Sequence, residues 1–117
     1  MRTADQKLLD EIVHRIVAAL QPEEVYLYGS HAYGHPHEDS DVDLFVIVSA
    51  SSLAPHRRAV EAYRALRGLF LPVEIKVLTR AEFERRAEWV SSIERVVREK
   101  GKRLYGRSER VASESQE

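Results

Sequence analysis

Gly29-Ser30, ten further residues, and then Asp41-Val42-Asp43 running directly into Leu44-Phe45-Val46-Ile47-Val48 constrain this chain more than anything else in it. Upstream, Val25 to Tyr28 is a short β-prone run that stops at Gly29. Glycine tolerates a tight turn and lets another group come close to the backbone. A serine beside it is placed to cap a following helix, whose free N–H groups and positive dipole end suit an anion. Gly34 and Pro36 break the chain again, which limits any helix after Ser30 to one or two turns. The order is therefore strand, anion-binding turn, strand. Side chains alternate along a strand, so Asp41 and Asp43 share one face while Val42 and Leu44 share the other.

Two carboxylates on one face repel, and burial would raise at least one pKa unless cations sit between them. Magnesium takes oxygen ligands and keeps waters or phosphate oxygens as its other partners. A pair of such ions about 3.5–4 Å apart stabilises the attacking and leaving oxygens of an in-line displacement. The chemistry that fits is transfer at the α-phosphate of a nucleoside triphosphate, with a hydroxyl attacking and pyrophosphate leaving.

The stretch from Tyr26 to Val48 closely resembles the signature of the minimal nucleotidyltransferases, small members of the DNA polymerase β-like superfamily. The resemblance implies an α/β (α+β) fold, a small mixed β-sheet flanked by helices. It implies that Gly29 and Ser30 hold the triphosphate of ATP and that Asp41 and Asp43 hold two Mg2+ ions. The family usually has a third carboxylate on a neighbouring strand, more often Asp than Glu. Here the candidate is Glu74, as a catalytic and metal-binding residue, in Leu71-Pro72-Val73-Glu74-Ile75-Lys76-Val77-Leu78. Val73, Ile75 and Val77 alternate with Glu74, Lys76 and Leu78, placing Glu74 on the face opposite the core valines. There it serves as general base or as a carboxylate orienting one. Lys76 shares that face and reads as solvent-facing.

Relatives of this kind are commonly encoded beside a small helical HEPN protein, often a ribonuclease toxin, and some transfer AMP onto a tyrosine hydroxyl near its active site. On that resemblance the chain is the antitoxin and protein adenylyltransferase of a toxin–antitoxin pair, working in a complex with a HEPN-family toxin. A homodimer is the other assembly left open. Longer relatives use an additional domain to hold the acceptor, and the expectation is that a partner supplies that wall here. Two other readings stand beside this one: a catalytically silent nucleotide-binding antitoxin that neutralises its partner by contact, and a transferase acting on a small molecule or an RNA end.

Composition sets the remaining bounds. At 117 residues the chain is expected to form one nucleotidyltransferase domain over 1–106, with 107–117 a polar, disordered tail. The net charge of −1 gives no bulk attraction to nucleic acid, which argues against a nucleic-acid partner. The absence of cysteine excludes disulfides and thiol chemistry and fits a cytoplasmic protein. No apolar run approaches membrane-spanning length and residues 1–20 carry charges throughout, so neither a membrane partner nor a signal peptide is expected. His31, His35 and His37 crowd the loop after Ser30. With no cysteine and no evident fourth ligand, they read as a polar loop rather than a zinc site.

Along the chain, Thr3 to Gln6 reads as a capping box and Leu9, Ile12, Val13, Ile16 and Leu20 as the inner stripe of a helix over 4–20. Strands are expected at 24–28, 42–48 and 73–78. Pro55 opens a helix with Val60, Tyr63, Leu66 and Phe70 as its apolar face. Thr79 to Glu82 is a second capping box, followed by Phe83 and Ala87. Ser91 to Glu94 is a third, starting a helix with Ile93, Val96 and Val97 inward and Gly101 as its stop. Lys100 to Gly106 resembles the usual ending of the family, so the resemblance runs over about residues 5–105.

Overall fold

A computed structural model describes residues 6–29, 42–69, 73–89 and 92–107. In chain order the elements are α1 (Gln6–Leu20), β1 (Glu24–Tyr28), β2 (Val42–Val48), α2 (Pro55–Ala65), β3 (Val73–Thr79), α3 (Arg80–Ala87), α4 (Ile93–Lys100) and β4 (Lys102–Gly106). The strands form one sheet in the order β3-β2-β1-β4, with β2 and β3 parallel and the other pairs antiparallel. This is the mixed, helix-flanked sheet expected from the sequence. The first capping box and the loop histidines lie outside the described residues.

Alternation divides the sheet into two apolar faces. On one, Val25 and Leu27, then Leu44, Val46 and Val48, then Ile75 and Val77 pack against Leu9, Ile12 and Ile16 of α1 and Ala62 of α2. On the other, Tyr28, Phe45, Ile47 and Leu78 pack against Phe83 of α3 and Val97 of α4. The Phe45 ring sits edge-on to Phe83 at 5.6 Å and to Tyr28 at 5.8 Å. β2 is thus covered on both sides, which is why its sequence reads as an unbroken apolar run. Leu78 does lie on the face of Glu74 and Lys76, yet it is buried in this second core.

The α2 stripe differs from the expected one. Val60 and Tyr63 are exposed, Leu66 is buried as expected, Phe70 lies outside the described residues, and Arg58 and Ala62 take the other buried positions. Arg58 is only 6% exposed because its charge is matched. It donates to both carboxylate oxygens of Glu82 at 2.7 and 3.2 Å and to the Leu53 carbonyl at 2.8 Å. That bond to Arg58, aided by the Thr79 N–H, holds the Glu82 carboxyl down at about 2. The capping box at Thr79 and Glu82 is present as expected.

At α4 the cap is Ser92, whose hydroxyl accepts from the Arg95 N–H, rather than Ser91. Ile93 consequently faces solvent, while Glu94 is buried with Arg86 3.6 Å away. β4 is an additional edge strand, tied to β1 through Glu24. Burial alone would push the Glu24 carboxyl up, but Arg80 and Arg103, each at 2.6 Å, hold it below its usual range. This ionic cluster lies at the end of β1 opposite Gly29.

Candidate active site

β1 ends at Tyr28, and Gly29 turns the chain with φ +80°, a left-handed conformation that only glycine adopts without strain. Across the sheet, Tyr28 pairs with Asp43 and Asp43 pairs with Glu74. Cross-strand partners point to the same face about 5 Å apart. The carboxylates of β2 and β3 are therefore neighbours on one face, at the end of the sheet where β1 stops and the two parallel strands begin. The sequence placed Glu74 on the face opposite the core valines, and the register sets it beside Asp43.

Gly29 is fitted to this arrangement. A Cβ on Gly29 would lie 2.5 Å from Oδ2 of Asp43, so the carboxylate occupies the space a side chain would take. The turn and the carboxylate are thus in van der Waals contact, an approach that a residue with a side chain would block. Asp43 is half-buried and Glu74 is exposed. Tyr28, 6% exposed, closes the inner side of the pair. Lys76 follows Glu74 on the same face, exposed as expected.

Ser30, Asp41, His31, His35 and His37 lie outside the described residues. Among the described residues no three metal-ligating side chains come together. Asp43 and Glu74 form an all-oxygen pair of the kind Mg2+ takes, open to solvent on the Glu74 side, where waters or phosphate oxygens would complete a shell. Two carboxylates side by side are a donor pair that fits magnesium.

Sequence reading missed two features next to the carboxylates. One is the second core under them, for which the unbroken run Leu44 to Val48 was the available signal. The other is a cavity of about 340 Å3 beside β3, whose walls include Phe45, Lys76, Leu78, Arg86 and Glu94. Its residues come from separate segments of the chain, and no sequence spacing signals it.

The nucleotidyltransferase domain family matches residues 7–104 of the chain, and the chain belongs to that family. Among solved structures, a candidate nucleotidyltransferase from Sulfolobus solfataricus is similar to it, with 25% identity and a TM-score of 0.63, over 87% of this chain and 80% of that one. A second crystal structure of a candidate nucleotidyltransferase shares the fold, with 24% identity and a TM-score of 0.52, over 83% of this chain and 97% of that one. Among proteins of curated function, none matches. No helix among the described residues is long and apolar enough to cross a membrane.

Proposed function

We propose that this chain is a magnesium-dependent adenylyltransferase that moves AMP from ATP to a hydroxyl, a tyrosine hydroxyl by family resemblance, of a partner HEPN-type toxin in the cytoplasm, and so acts as its antitoxin. Membership of the nucleotidyltransferase family supports the reaction class. The observation that carries the reading is the three-strand register Tyr28–Asp43–Glu74 with Gly29 against Asp43. It sets two carboxylates beside a turn that admits a phosphate to the backbone.

Asp43 and Glu74, with Asp41, are the residues that would hold magnesium, and the bound ions supply positive charge against the triphosphate oxygens. Gly29 and Ser30 receive the phosphates, with the bare Gly29 backbone allowing close approach. The acceptor oxygen forms a bond to the α-phosphorus, and the bond from that phosphorus to the pyrophosphate oxygen breaks. Glu74, exposed on the solvent side of Asp43, would take the acceptor's proton. Asp43, half-buried between Tyr28 and Glu74, is placed to keep a fixed orientation. The target rests on family resemblance, not on the fold.

The test is intact-mass spectrometry of the neighbouring gene's product, co-expressed with wild-type chain and with the Asp41→Ala/Asp43→Ala variant. AMP-sized additions only with wild type support the reading. An unmodified product that co-purifies with both versions overturns it in favour of neutralisation by contact.

A further inference from the structure

β3 is an edge strand, and three of the backbone groups on its open side are matched by side chains. The Ile75 N–H donates to the Tyr63 hydroxyl at 2.9 Å, and the Val77 carbonyl accepts from Arg58 at 3.3 Å. The Thr79 N–H donates to Glu82 at 3.0 Å. In a parallel ladder the N–H and C=O of one residue point the same way, and alternate residues share that direction. The Ile75 carbonyl and the Val77 N–H therefore also point outward, and neither has a partner among the described residues. Between Tyr63 and Arg58 this leaves one acceptor and one donor, two residues apart on an extended backbone.

Ile75, Lys76 and Val77 also line the cavity of about 340 Å3, next along β3 from Glu74. Phe45 and Leu78 give it apolar walls, and Arg86 and Glu94 close it from the side of α3 and α4. On α2, Ala59 lies in the cavity wall between Arg58 and Tyr63, the two side chains that close off the edge to either side. A small residue stands there, and Ile75 and Val77, 4% and 2% exposed, are screened from bulk solvent.

We infer that this groove holds the nucleobase of the nucleoside triphosphate and reads it as adenine. The exocyclic amine donates to the Ile75 carbonyl and the adjacent ring nitrogen accepts from the Val77 N–H. Hypoxanthine and guanine present the reverse, an oxygen acceptor beside an N–H donor, and place acceptor against acceptor and donor against donor. A heterocycle suits the site better than an added strand. A strand needs a run of free edge groups, whereas here Tyr63 and Arg58 take the groups on either side of the pair. The spacing also suits one ligand. Ile75 to Val77 lies one to three residues beyond Glu74, about 3–10 Å along the strand, within reach of a ribose extending from an α-phosphate at the carboxylates. The inference rests on the triphosphate site proposed above.

The test titrates ATP and ITP into the full chain with magnesium, with tripolyphosphate as the ligand lacking a base. ATP is expected to bind at least about tenfold tighter than ITP, the discrimination of one bidentate base contact. Ala59→Leu, a good helix former that fills the groove, is expected to bring ATP down to the level of ITP while tripolyphosphate binding stays unchanged. The Val77 amide resonance is expected to shift with ATP and not with ITP. Equal binding of ATP and ITP that still depends on Asp43 overturns the base site and leaves the proposed function standing. The base site is equally overturned if Ala59→Leu keeps the ATP preference, or if the Val77 amide responds to an extended peptide and not to ATP. Failure of ATP, ITP and tripolyphosphate alike to bind overturns both.

Discussion

Replacing Gly29 with alanine tests the contact between turn and carboxylate on which the site depends. The substitution has two separable costs. The φ of +80° puts any other residue in the left-handed region, at about 1–2 kcal/mol. The new Cβ would also sit 2.5 Å from Oδ2 of Asp43, so the carboxylate has to move by about 1 Å to reach ordinary contact. Gly68 supplies the control. Its φ is +94°, yet a Cβ there meets nothing within 4 Å, so Gly68→Ala carries the backbone cost alone. Both variants should lose about 3–10 °C in Tm at roughly 3–6 °C per kcal/mol for a chain of this size. Only Gly29→Ala should lose function, and a reacting group displaced by about 1 Å loses on the order of a hundredfold in rate. The assay pairs thermal unfolding with magnesium-dependent transfer from ATP. In an Asp43→Ala background, the excess Tm loss of Gly29→Ala over Gly68→Ala should vanish. Gly29→Ala that keeps wild-type transfer, or Gly68→Ala that loses as much, would refute the reasoning.

Asp43→Asn should abolish transfer with Tm changed by less than about 2 °C, since it removes repulsion from Glu74 without changing shape; a drop of about 10 °C on thermal unfolding would make Asp43 structural. Acid titration followed by circular dichroism should reveal Glu82. Its carboxyl lies at about 2 when folded against an ordinary 4.5, so its contribution is complete above about pH 4.5 and is lost as the pH falls toward 2. Arg58→Met should shrink that acid-dependent component, leaving the part due to the Thr79 N–H, and lower stability by about 1–3 kcal/mol, read from urea unfolding, because Glu82 loses its guanidinium donor and the Val77 carbonyl its partner. Glu24→Leu should destabilise by a similar amount through loss of the 2.6 Å ion pairs that tie Arg80 and Arg103 to β1, yet leave nucleotide binding unchanged, since the cluster lies at the far end of the sheet; weakened ATP binding in that variant would contradict the separation of the two ends.

Much of this geometry was legible in the sequence, and the departures have physical causes. β1 and β2 came from short apolar runs bounded by glycine and polar residues, and Thr79 to Glu82 announced α3 through its reciprocal capping bonds. The buried face of α2 departs from the apolar stripe because Arg58 turns inward. A buried arginine is invisible to a hydrophobic stripe, since its partner Glu82 lies 24 residues away. The α4 cap is Ser92, one residue on from the expected serine, and Glu94 turns inward beside Arg86; from the sequence, either of two adjacent serines could serve as the cap. β4 was hidden by Lys102 and Arg103, charges that suit an edge strand and whose anchor, Glu24, is 79 residues upstream of Arg103. At the site, Gly29, Asp43 and Glu74 were found by motif and alternation. That Glu74 sits beside Asp43, and that Gly29 touches that carboxylate, depends on strand order and register, which only the folded chain supplies.

The most direct measurement supplies α-labelled ATP and magnesium to wild-type, Asp43→Asn and Glu74→Gln chains with the neighbouring gene's product, and follows label on protein and release of pyrophosphate together. Equal amounts of protein-bound AMP and pyrophosphate with wild type, neither with Asp43→Asn or EDTA, and at least about tenfold less with Glu74→Gln, are the predicted result. Transfer that proceeds unchanged without Asp43 or without magnesium would contradict the assignment of catalysis to the carboxylates on this face of the sheet.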